Sequence, residues 1–375
     1  MRTTSIFLFA LLLAACGGNH ENEHHGHGEG EGYDHSTGAT KKSEMHYAEE
    51  THLKNVRQLT YGGDNAEAYW SYDDTRLVFQ AKNERWGTSC DQIYIMPVEG
   101  KKDSLPLQMI STGKGRTTCS YFMPGDTTIL YASTHLLHDS CPPVPERKHG
   151  DPYVWPVYAE FDIFVSDLEG NIISQLTNEP GYDAEATLSP KGDKIVFTST
   201  RSGDLELYVM DIDGSNVVQI TDELGYDGGA FFSPDGSKIV WRASRPTKPE
   251  DVELYQSLLA KNLVQPTEME LFVCNVDGSD KHQVTHLGGA NWAPFFHPSG
   301  EKLVFSTNHH TGEAGFPFNL FMINLDGTGL EQITYDGVFD AFPMFSYSGK
   351  YLVWGSNRNN GRTHDTNLFL AEWAD

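Results

Sequence analysis

The sequence predicts an all-β fold: a six-bladed β-propeller closed by an N-terminal strand, with a short helical insertion in the fourth blade. Three observations predict it. One phrase returns along the chain, as "LSPKGDKIVFTSTR" at 188–201, "FSPDGSKIVWRASR" at 232–245, "FHPSGEKLVFSTNH" at 296–309 and "FSYSGKYLVWGSNR" at 345–358. A second phrase, Gln-Leu-Thr or a near variant, ends at Thr60, Ser111, Thr177, Thr221, Thr285 and Thr334, so six units follow one another 44 to 66 residues apart. The chain also ends on a third strand, "NLFLAEWA", while "HLKNVRQLT" at 52–60 supplies an extra strand before the first unit. Pairing the two ends completes a sixth sheet.

Each element follows from local chemistry. In Ser233-Pro234-Asp235-Gly236, Ser accepts a local hydrogen bond, Pro presets φ and Gly closes a tight turn. The β-branched and aromatic residues on both sides read as strands, so each phrase is a hairpin. A third strand ending in Asp-Gly, as in "ELYVMDIDGS" at 206–215, and a fourth at the Gln-Leu-Thr phrase make a four-stranded sheet about the length of a propeller blade. One such sheet cannot cover both its faces. Radial stacking covers them and leaves only short edges.

The repeat resembles the WD40-like, TolB-type (PD40) propeller repeat over roughly 45–375. The second unit, "FMPGDTTILYAS", departs from the Ser-Pro-Asp-Gly wording. The α/β domain that precedes the propeller in TolB itself is not expected here. Units with long insertions resemble propeller segments found beside exported aminopeptidase domains, and no peptidase domain is expected to follow.

Before the ring, three features define the first 44 residues. Arg2, the apolar run from Ile6 to Leu13 and "LAAC" resemble a bacterial lipoprotein signal, which implies a signal peptide over 1–15, cleavage before Cys16 and acylation of its thiol. Gly17 after the cysteine favours the outer membrane by analogy with lipoprotein sorting. Residues 16–44 read as a disordered His/Gly/Glu-rich tether. Its His24, His25 and His27, with His20 and His35, can chelate a transition metal loosely or serve as a solvated spacer.

Charge excludes one large class of partner. The formal net charge is −25, with 27 Lys and Arg against 52 Asp and Glu, which disfavours nucleic acid. Of the cysteines beyond Cys16, a disulfide between Cys90 and Cys119, or between Cys119 and Cys141, suits an exported chain, and Cys274 reads as a buried thiol.

Two insertions join second to third strands, and propeller geometry puts both on one face. Residues 135–160 are rich in Pro and aromatics, and 249–263 carry Val252, Tyr255, Leu258, Leu259 and Leu263 at helical spacing. They form either packing elements or a lid over the channel. Aligning the units places Asp183, Asp227 and Asp340 at the mouth of the inner strands, with Glu67 and Glu185 two residues inside, and Arg201, Arg245, His309 and Arg358 after the second strands. These residues either tie blades together or bind a ligand or cation at the channel mouth. Calcium or a transition metal is the possible ion. No Gly-x-Ser-x-Gly elbow or His-Glu-x-x-His motif occurs. The expected function is therefore non-enzymatic binding of an envelope protein, peptide or glycan by a lipid-anchored monomer or complex subunit. The alternatives are a metal-dependent lyase or hydrolase acting on oligosaccharides at that mouth, and metal binding by the tether.

Overall fold

The computed structural model describes residues 44–100, 107–146, 153–361 and 363–375. Six four-stranded antiparallel sheets stand around one axis. Their innermost strands are Asp64–Trp70, Thr117–Phe122, Asp183–Leu188, Asp227–Phe232, Asn291–Phe296 and Asp340–Phe345. Consecutive inner strands touch, and the sixth touches the first, so the ring is closed. Leu53–Gln58 pairs with Asn367–Trp373 and makes the outer strand of the sixth blade. Apolar side chains from facing sheets fill the gaps between blades. Trp241 and Trp354, both fully buried, are the largest of them.

The repeated phrases have a structural cause. In every blade the last residue of the Gln-Leu-Thr phrase accepts, through its hydroxyl, an amide near the start of the third strand: Thr221 from Leu207 and Thr285 from Leu271 at 2.8 Å, Ser111 from Ile93 at 3.0 Å, and Thr60, Thr177 and Thr334 in the same way at 2.9 Å. The hydroxyl thus satisfies a backbone donor that the short outer strand would leave bare. The turn serine works likewise. Ser233 Oγ donates to Asp235 and accepts the Lys238 amide at 2.9 Å.

The insertions of blades two and four meet over the bore. Trp155–Pro156 pairs with Leu263–Val264 as a two-stranded ribbon, and Val157 N donates to Asn262 O at 2.8 Å. The helix Pro249–Leu259 leads into that ribbon, with Pro249, Glu250 and Asp251 in its first turn. Tyr255 and Leu258 are its buried residues; Val252 and Leu259 are half-buried. Leu263, expected on the same helical face, lies past the helix end in the ribbon. Tyr255 fixes the helix to the ring by donating to Asp204.

Disulfide pairing corrects the expectation. Cys90 bonds to Cys141, clasping the blade-two insertion to the first blade, while Cys119 and Cys274 are buried thiols. Cys119 cannot take part because it sits on an inner strand, with its thiol turned to the axis.

Candidate functional site: a roofed chamber on the ring axis

Every inner strand carries a one-residue bulge at the same level. The register slips after Ala66, Thr118, Ala184, Gly228, Trp292 and Ala341. The next residue in each is left-handed: Glu67, Cys119, Glu185, Gly229, Ala293 and Phe342, with φ between 44° and 60°. For the five residues that carry a Cβ this conformation costs about 1–2 kcal/mol each. The strain re-aims all six positions into the bore, and all six line one cavity. Its volume is about 60 Å³, and Trp155, Pro156, Val157 and Val264 of the ribbon roof it.

The chemistry of this girdle is uneven. Glu185 accepts from Tyr226 Oη at 2.5 Å, Gly229 N at 2.6 Å, Arg242 Nη2 at 2.9 Å and Thr198 Oγ1 at 3.0 Å. Burial works to raise its pKa, but the Arg242 charge and these donors hold it below the usual carboxylate range. Glu67 lacks such support. It accepts from Cys119 Sγ at 2.9 Å and Tyr69 Oη at 3.3 Å. Burial pushes it up to about 7, against the Cys119 bond and with the help of the Glu185 charge.

Arg242 and Glu185 meet at the axis in space that two glycines leave. A Cβ on Gly229 would lie 1.8 Å from Arg242 Nη1, and one on Gly228 would lie 2.4 Å from Glu185 Oε2. The guanidinium stacks over Tyr226 at 4.9 Å and Trp155 at 5.7 Å. The Nε atoms of Arg242 and Trp292 (Nε1) are buried without a hydrogen-bond partner. Trp292 packs edge-on against Phe342 at 5.0 Å and lies 5.8 Å from Trp155.

The remaining residues read from the sequence lie outside this cavity. Asp183 takes Arg201 at 2.9 Å, Asp227 takes Arg245 at 2.6 Å, and Asp340 takes Arg358 at 3.0 Å, each pair within its own blade. Arg358 is also bound by Glu50. Burial raises Asp227 to about 6 even with Arg245 against it. These pairs tie strand ends together, which is what buried opposite charges at such places do. His309 leans on Phe321 at 4.8 Å and meets Thr307 rather than the carboxylates; burial, then His310, lowers its pKa. Among the described residues no group of three His, Cys, Asp or Glu side chains is placed to hold a metal ion. Cys16, His24, His25 and His27 lie outside the described residues.

Cys119, Tyr226 and Arg242 were missed by sequence reasoning. The offset that found Glu67 and Glu185 also falls on Cys119, and the pair Gly228-Gly229 inside a strand signals a close approach.

The comparisons agree with this geometry. Residues 158–266 match the TolB β-propeller domain (PD40). The stretch 158–266 therefore carries the TolB-type propeller repeat, within a ring of six blades. No curated protein matches the sequence. Among solved structures, a putative TolB from Agrobacterium tumefaciens superposes with a TM-score of 0.54 at 17% identity, over 85% of this chain and 97% of that one. TolB from Acinetobacter baumannii gives 0.54 at 16%, over 80% and 64%. An oligogalacturonate lyase in complex with manganese gives 0.47 at 14%, over 85% and 93%. Likeness at these identities speaks for the ring alone. Among the described residues no helix is long and apolar enough to cross a membrane.

Proposed function

We propose that this protein is a lipid-anchored, non-enzymatic binding module of the bacterial envelope, held at the outer membrane through Cys16, which takes a protein, peptide or glycan on its roofed channel face. One observation carries the reading. Insertions from two non-adjacent blades pair with each other over the bore and enclose an aromatic and charged chamber. A ring that needed only to be stable has no use for a ribbon built from separate excursions. Loops that leave a rigid scaffold on one side are where contacts are made.

Cross-linking in the native envelope, followed by mass spectrometry, tests it. Wild-type protein is expected to give a reproducible partner that Trp155→Ala with Pro156→Ala loses. Turnover of an oligosaccharide without any reproducible cross-link would overturn the reading. The anchor has its own test: Cys16→Ser is expected to move the protein from the detergent phase to the aqueous phase.

A further inference from the structure

The chamber contains one carboxyl group that the ring leaves without a cation. Glu185 is saturated by Arg242, two hydroxyls and an amide. Glu67, 8% exposed, has only a thiol and a phenol as hydrogen-bond donors. Arg242, the cation that acts on it, is bonded to Glu185. Ionising a buried carboxyl without a counter-ion is costly, and a cation arriving through the cavity removes that cost. The walls favour such a cation. Trp155, Trp292, Tyr69 and Phe342 surround the space, and aromatic faces attract ammonium groups.

A second group describes the rest of the ligand. Trp292 is 4% exposed and its indole N–H has no acceptor, although it lines the cavity. A buried donor left open is costly, so it calls for an oxygen. The cavity volume, about 60 Å³, holds about four or five water-sized groups. That is room for a charged head and its neighbour. A second cavity, of about 150 Å³, lies among Pro190, Pro234 and Pro298 and meets the chamber at the shared walls Tyr69, Phe231 and Met344.

We propose that the chamber binds a small organic ammonium ion carrying an oxygen acceptor near its nitrogen, with the ammonium on Glu67 between the aromatic walls and the oxygen on Trp292 Nε1. Two sources share this chemistry: the amino terminus of a peptide and an amino sugar. The inference rests on the channel face being a ligand site.

Calorimetric titration of the whole protein tests it, with glycylglycine against N-acetylglycylglycine and glucosamine against N-acetylglucosamine. At least one free amine is expected to bind in the micromolar to millimolar range, and its acetylated form is expected to bind at least roughly tenfold more weakly. Whichever amine binds names the source. Glu67→Gln is expected to weaken it roughly tenfold, and Trp292→Phe by several-fold. Should either variant unfold, wild-type titrations below pH 7 in two buffers of different ionisation heat replace them: binding is expected to release a proton from Glu67. Equal binding of free and acetylated forms, no binding of either amine at millimolar concentration, or no proton release would overturn the assignment. The cross-linking result with the ribbon variant stands apart. Loss of the partner there, with no amine bound here, removes the ammonium and leaves the binding module.

Discussion

Arg242 Nη2 donates to Glu185 Oε1 at 2.9 Å, and so joins the fourth blade to the third at the axis of the ring. Both side chains are nearly buried, at 8% and 11% exposure. Removing one member of a buried pair leaves the other charge uncompensated, at a cost of about 3–5 kcal/mol, whereas removing both costs less. Arg242→Met is therefore expected to lower the unfolding free energy by about that amount, and Arg242→Met with Glu185→Gln to recover part of it. Gly229→Ala is expected to resemble the single variant, because its new Cβ takes the guanidinium's place. Chemical denaturation of the four proteins checks this. A double variant no more stable than Arg242→Met alone would mean that the pair is not coupled.

The N-terminal segment is held to the last blade through a residue just before the closing strand. Glu50 accepts two bonds from Arg358, at 3.0 and 3.1 Å, and the amides of Tyr47 and Tyr335, each at 3.1 Å. Both charged groups are fully buried. Glu50→Ala is expected to cost about 3–5 kcal/mol. Hydrogen exchange should show where the loss falls: Leu53–Gln58 and its partner Asn367–Trp373 exchange first, before the inner strands. Uniform acceleration across all six blades would place the weak point elsewhere.

The ring was legible in the sequence because its repeats carry local chemistry. Thr221 and Ser233 must hold the same backbone amides in each blade, so the same words recur. The second blade departs from the wording at 122–133, yet its strands Thr117–Phe122 and Thr128–Ser133 form as the others do, since hydrophobic alternation persists and Asp126, at φ 56°, takes the left-handed turn position that glycine holds in the last four blades. The chamber was half legible. Glu67 and Glu185 stood at the right offset, but what makes that position face the bore is a bulge, and a bulge is set by backbone angles rather than by pattern. Arg242 looks like any strand residue until Gly229 is seen to clear its path. The pattern placed the acids and bases at the strand ends but not their partners or their depth. Asp183, Asp227 and Asp340 sit at strand starts, two positions short of the girdle, where they meet Arg201, Arg245 and Arg358.

Cys90 and Cys141 close a loop with a sequence separation of 51 residues. By loop entropy such a link stabilises by about 4 kcal/mol, and measured values run at or below this. Reduction, or Cys90→Ser with Cys141→Ser, is expected to lower stability by about 2–4 kcal/mol. Peptide mapping under non-reducing conditions should recover the linked pair, with Cys119 and Cys274 labelled only after unfolding. A peptide joining Cys119 to either partner would contradict the fold around the axis.

Glu206 gives the last prediction, and its sign is fixed by the direction of its shift. Its side chain is 3% exposed, Oε2 has no partner, and burial, with the charges of Asp227 and Asp204 and against a Thr221 hydrogen bond, raises its pKa from 4.5 to about 8. The folded protein therefore binds the proton more tightly than the unfolded chain. Its contribution is fully present below about pH 4.5 and is lost as pH rises through about 8. Glu206→Gln keeps the shape and cannot ionise. Its melting temperature is expected to equal or fall below wild type at pH 5 and to exceed it above pH 8. Glu67 and Asp227 titrate in the same sense, and the large negative charge also destabilises at high pH, so the comparison lies in the difference between the two curves rather than in either alone. Parallel curves from pH 5 to 9 would show that Glu206 is ionised in the fold, and that its surroundings are wetter than its burial implies.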